Sequence, residues 1–141
     1  MISCKTIEKN CNKAKFLSGL VKQIPQLVSV SYSLLKPDTH IVPHKGYDDY
    51  SEEILRYHMG MIIPKGDLGL RVNQDIKVWK EGEAFIFDDY QIHEAWNFTK
   101  EDRYVLICDS IGCEFFDRDK DKEVVFVDKK FNDSIAGYLQ D

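Results

Sequence analysis

Apolar residues in the first part of the chain recur at helical spacing. Between positions 13 and 24, Phe16, Leu17, Leu20, Val21 and Ile24 follow a 3.6-residue period, and Pro25, which has no backbone N–H to donate, ends it. The spacing predicts one amphipathic helix ahead of the domain. Over 27–35 the period falls to two, so Val28, Val30, Tyr32 and Leu34 share one face of a strand and Ser29, Ser31 and Ser33 the other. The same alternation over 55–63 sets Leu55, Tyr57, Met59, Met61 and Ile63 against Arg56, His58, Gly60 and Ile62. Arg56 and His58 therefore point the same way.

Further short strands are predicted at 68–73, 76–79, 83–88, 92–97 and 103–110. Turn-forming groups separate them, among them Pro64-Lys65-Gly66, Asn73-Gln74-Asp75, Glu81-Gly82 and Thr99-Lys100-Glu101-Asp102. Many short strands punctuated this way indicate a barrel or a jelly roll. After Gly112 the character changes, with a charge run over 117–123, a strand expected at 124–127 and a closing helix at 130–139. Trp79, Trp96, Phe85 and Phe87 are expected in the core rather than as a substrate platform.

Composition narrows the reading. A chain of 141 residues that is 43% hydrophobic suits a single domain, 1–141. We divide it into an N-terminal helix at 1–26, a core at 27–111 and a C-terminal extension at 112–141. A net charge of -5 argues against a nucleic-acid partner, which needs clustered cations in excess. The polar opening MISCKTIEKNCNKAK is neither signal peptide nor membrane anchor, so a cytoplasmic location with no membrane partner is expected. Cys4, Cys11, Cys108 and Cys113 form no C-x-x-C pair and read as reduced thiols.

The chemistry-bearing residues are scattered. His44 follows a strand in Thr39-His40-Ile41-Val42-Pro43-His44, and His93 lies in a distant segment; neither is a local metal motif. A jelly roll, however, brings separated strands to one open end, where a mononuclear iron with free coordination positions is assembled. A guanidinium buried there, Arg103, needs an anion, and the terminal carboxylate of 2-oxoglutarate matches it with two parallel hydrogen bonds. By face parity Ser33, Arg56 and His58 line the same cavity, whereas His40 reads as structural.

Four ordered blocks carry a resemblance. They are Ser33-Leu34-Leu35-Lys36-Pro37-Asp38-Thr39-His40-Ile41-Val42-Pro43-His44-Lys45-Gly46, Leu55-Arg56-Tyr57-His58-Met59-Gly60-Met61-Ile62-Ile63-Pro64, Trp79-Lys80-Glu81-Gly82-Glu83-Ala84-Phe85-Ile86-Phe87-Asp88-Asp89 and His93-Glu94-Ala95-Trp96-Asn97. Together they closely resemble the catalytic domain of aspartyl/asparaginyl β-hydroxylases. The resemblance implies a mainly β fold: a double-stranded β-helix (jelly roll, cupin-like) with one or two flanking helices. It also implies an Fe(II)- and 2-oxoglutarate-dependent dioxygenase that uses O2 to hydroxylate an unactivated C–H bond, such as one in an aspartyl or asparaginyl residue.

Carried over position by position, His44 and His93 become the iron ligands, and Ser33, Arg56, His58 and Arg103 the 2-oxoglutarate contacts. Gly46 stands where most iron oxygenases place a third, carboxylate ligand. The resemblance implies a water in that position, oriented by Asp89; the rival is that Asp48 or Asp49 folds back onto the metal. Ile54 occupies a position where peptide-hydroxylating members carry a further arginine, so the substrate is left among peptide, free amino acid and acyl compound. The rival of another class is a cupin-like metal- and ligand-binding module without turnover.

Overall fold

The computed structural model describes residues 8–15, 17–19, 27–46 and 54–111. The strand expected at 124–127, the helix expected at 130–139 and the residues Asp48 and Asp49 lie outside the described residues. Among the described residues, helix α1 (Glu8–Lys13) precedes eight strands: β1 (Leu27–Leu35), β2 (Thr39–His44), β3 (Ile54–Ile62), β4 (Leu68–Val72), β5 (Asp75–Lys77), β6 (Ala84–Asp88), β7 (His93–Asn97) and β8 (Arg103–Ile111). They form two four-stranded antiparallel sheets, ordered β1-β8-β3-β6 and β2-β7-β4-β5. Apart from the β4–β5 hairpin, successive strands alternate between the sheets, which is the winding of a jelly roll.

Strand alternation divides the apolar residues into two layers. Between the sheets lie Leu35, Leu68, Leu70, Val72, Trp79, Phe85, Phe87, Ala95 and Val105. On the other face of the β1-β8-β3-β6 sheet, Leu27, Leu55, Tyr57, Ala84, Ile86, Leu106 and Cys108 pack with Leu17 from the N-terminal segment. That sheet thus carries a buried cluster on each face, and each fully buried Leu, Ile or Phe contributes roughly 1.5–3 kcal/mol. Polar residues admitted between the sheets must then have a specific reason to be there.

Three expectations are revised. The helix begins earlier than its apolar repeat: α1 covers Glu8–Lys13, and the bonds Ala14 N to Asn10 O and Ser18 N to Ala14 O, both 2.9 Å, carry the i to i−4 pattern onward to the buried Leu17. The sequence reading gives β2 no bounds of its own, because Pro43 breaks the strand signal. It is tolerated since β2 is an edge strand, and His44 ends this strand rather than following one. Along β1 the apolar parity does not mark the inter-sheet side: Tyr32 and Leu34 are exposed, while Ser33 and Leu35 face inward.

Two local features hold the site end in place. Asn97, fully buried where β7 ends, donates from Nδ2 to the carbonyls of Leu35 and Glu101 and accepts from Thr99, tying the two sheets together. Gly60 of β3 lets the 79–83 segment lie directly against the strand, since a Cβ there would meet the Lys80 carbonyl oxygen at 2.2 Å. Its N–H donates to Glu83 O at 3.0 Å and its carbonyl accepts from Gly82 N at 2.9 Å.

Candidate active site

β2 and β7 pair so that His44 stands opposite His93. Their ring centroids are 4.3 Å apart at an interplanar angle of 61°. Each ring donates from Nδ1 to the carbonyl two residues before it, His44 to Val42 and His93 to Gln91, both at 2.8 Å. A carbonyl only accepts, so each Nδ1 carries the hydrogen, and a neutral ring then holds its lone pair on Nε2. Burial, above all, and the neighbouring His44 and Arg56 push His93 down from its ordinary 6.5 to about 4, so its ring is neutral at physiological pH.

Asp89 Oδ1 lies 3.6 Å from His93 Nε2. A lone pair and a carboxylate oxygen facing each other with no hydrogen between them repel, and a cation would relieve both. Burial raises the pKa of the Asp89 carboxyl from its ordinary value, with Arg56 opposing. Arg56 Nη1 approaches Asp89 Oδ1 at 2.9 Å as an ion pair lacking hydrogen-bond alignment. The same guanidinium donates to Asp109 in fork geometry, Nε to Oδ1 at 2.7 Å and Nη2 to Oδ2 at 3.0 Å. Burial works against the Arg56 charge, but the bonds and charge of Asp109, together with Asp89, outweigh it and raise its pKa.

A second polar group sits deeper. Arg103 is only 1% exposed, and no carboxylate pairs with it among the described residues. Its Nη2 donates to Ser33 Oγ at 2.9 Å, its Cζ lies 4.6 Å from the centroid of the Trp79 ring, and its Nε has no hydrogen-bond partner. Burial alone pulls its pKa down to about 10. His58, 5% exposed, packs against Phe85 and Phe87, receives the Trp79 Nε1–H on Nδ1 at 3.1 Å, and leaves Nε2 without a partner. Burial, then the charges of Arg103 and Arg56, hold its pKa well below 6.5.

The fold thus collects all seven residues singled out from the sequence, Ser33, His44, Arg56, His58, Asp89, His93 and Arg103, on the inner side of the jelly roll. His40 lies elsewhere, on the outer face of the β2-β7-β4-β5 sheet, bonded to Glu94 at 2.7 Å. Trp96 joins it there, half-buried rather than in the core, with Nε1 donating to Asp67 at 2.8 Å. Asp109 is absent from the sequence-based set, although alternation along β8 puts it on the face of Arg103 and the register sets it opposite Arg56. Trp79 is core, as expected, yet it also contacts both deep polar residues. Among the described residues no group of three or more His, Cys, Asp or Glu is arranged to hold a metal.

Fold and site together define a class: a cupin-like jelly roll whose interior carries paired histidines beside a buried cation. Comparison with known proteins names the family. The sequence model of the aspartyl/asparaginyl beta-hydroxylases matches residues 3–112. An ornithine lipid ester-linked acyl 2-hydroxylase from Rhizobium tropici is 37% identical over 106 residues, covering 74% of this chain and 37% of its own. Aspartyl/asparaginyl beta-hydroxylase from Homo sapiens is 32% identical over 112 residues, covering 76% of this chain and 14% of its own. The chain belongs to the aspartyl/asparaginyl beta-hydroxylase family, and it spans well under half the length of these relatives.

Proposed function

We propose that the protein is an Fe(II)- and 2-oxoglutarate-dependent dioxygenase that hydroxylates an unactivated C–H bond. The observation that carries this reading is Arg103, a guanidinium enclosed between the sheets with an orphaned Nε and no carboxylate among its described neighbours. A buried cation costs several kcal/mol unless an anion completes it. A metal-binding module without turnover has no need of one. A dicarboxylate would supply the anion that Arg103 lacks and leave its other end for a metal.

The donor set suits iron. His44 and His93 would hold it through Nε2, their Nδ1 hydrogens pinned by backbone carbonyls, as ring orientation at such sites requires. Ferrous iron so held supplies the oxidising chemistry by which 2-oxoglutarate, O2 and R–H become succinate, carbon dioxide and R–OH. Arg103 binds the far carboxylate in this scheme, with Ser33 fixing the guanidinium plane. His58 offers its unpartnered nitrogen to the same ligand. Arg56, already engaged by Asp109, steadies Asp89 beside His93, where the carboxylate can accept a hydrogen bond from a water and balance a cation's charge. Phe85, Phe87 and Trp79 exclude bulk water from this space.

The relatives' names point to two substrate classes, a lipid acyl group and an aspartyl or asparaginyl residue. Purified protein supplied with Fe(II), O2 and 2-oxoglutarate is expected to release succinate, with a mass gain of one oxygen in a lipid acyl, peptide or free amino-acid substrate. Metal binding without succinate release across all three classes would leave a binding module instead.

A further inference from the structure

Trp79 is a core residue by burial, but two of its contacts are chemical rather than space-filling. Its indole edge donates Nε1–H to His58 Nδ1 at 3.1 Å, and its ring face carries the Arg103 guanidinium carbon 4.6 Å from the centroid. Indole nitrogen is a donor only, so the imidazole nitrogen facing it must hold a lone pair. The hydrogen of neutral His58 is thereby forced onto Nε2, the atom with no partner. With the other tautomer, or with a protonated ring, two N–H groups would point at each other in a space sealed from water. Arg103 Nε, the second orphan, belongs to a guanidinium whose plane is set from one side by this ring and from another by Ser33.

We propose that Trp79 is a positioning residue for the anion site: its edge selects the His58 tautomer that presents an N–H, and its face orients Arg103, so that both donors address one 2-oxo-dicarboxylate. The ligand named here rests on the cosubstrate reading above. The tautomer does not. Gly60 is part of the device, since only a residue without Cβ lets the 79–83 segment press onto β3 near His58.

The test is Trp79→Phe, which keeps an aromatic face under Arg103 and deletes the edge donor. Long-range proton–nitrogen correlation spectra of the metal-free protein are expected to show His58 protonated on Nε2 in the wild type and as a tautomer mixture in the variant. 2-Oxoglutarate affinity is expected to fall about tenfold, the scale of one buried hydrogen bond, while Fe(II) affinity holds. A structural lesion would instead lower both affinities together with the thermal midpoint. Wild-type His58 found protonated on Nδ1, or a Trp79→Phe protein binding 2-oxoglutarate as the wild type does, overturns the proposal, and the first result needs no variant to fold. A wild type that binds no 2-oxoglutarate at all overturns the cosubstrate reading and the ligand assigned here, while the nitrogen spectra still decide the role of Trp79.

Discussion

Two polar networks on opposite sides of the β2-β7-β4-β5 sheet follow opposite rules. On its outer face Glu94 receives hydrogen bonds from His40 and Arg71, Arg71 also donates to the Asn73 carbonyl, and Asp67 takes the Trp96 N–H. His40 and Arg71 first and foremost bring donors to a Glu94 carboxylate whose pKa is lowered accordingly. On the inner side, Arg103 Nε, His58 Nε2 and Asp89 Oδ1 are buried and lack hydrogen-bond partners. The exposed network is complete in itself and is screened by water, so it adds little stability. The enclosed one is incomplete, and a buried polar atom without a partner costs about 1–3 kcal/mol unless something arrives to satisfy it. The difference separates surface decoration from a binding site better than the count of charges does.

The contrast can be attacked from the interior first. Arg103→Met keeps much of the side-chain volume and removes the buried charge. It is expected to weaken 2-oxoglutarate binding by about 2–5 kcal/mol, measured by calorimetry, while the thermal midpoint of the ligand-free protein stays level or rises. A variant that binds 2-oxoglutarate normally would take Arg103 out of the anion site.

Acid comes next in size. His93 accepts a proton near 6.5 when unfolded but only near 4 when folded, so between those values the unfolded chain holds more protons. Stability is therefore full above about pH 6.5 and is lost as the pH falls toward 4, by as much as about 3 kcal/mol before solvent screening. Urea midpoints of the metal-free protein at pH 7 and pH 5 test this, and His93→Gln is expected to flatten the difference. An acid limb unchanged in His93→Gln would place the titrating group elsewhere.

The outer network is expected to respond least. Glu94→Gln breaks its ion pairs at the surface and is expected to shift unfolding by under about 1 kcal/mol and leave 2-oxoglutarate affinity untouched. A shift as large as that of the interior variants would mean that exposure does not divide the two networks.

Much of this molecule was legible along the chain, for reasons that are local. Strand alternation placed Arg56 and His58 on one face, and turn chemistry marked Gly66, Asn73 and Gly82, all three of which adopt positive φ. Strand β1 matches its predicted span, and β4, β6 and β8 lie within a residue of theirs. Ordered blocks of sequence identified the family. Edge strand β2 was hidden because Pro43 obscures the alternation, and only the completed sheet shows that its N–H side needs no partner there.

What the chain determined by itself is therefore most of the strands, the face that Arg56 and His58 share, and most of the residues rich enough in chemistry to matter. Only the tertiary structure decided which of them meet. It set His44 against His93, closed Asp109 onto Arg56, turned the Trp79 indole edge to His58, and left Arg103 enclosed with no carboxylate beside it among the described residues. Alternation has a period of two and is blind to register and sheet order, and these contacts arise from pairings between strands far apart in sequence.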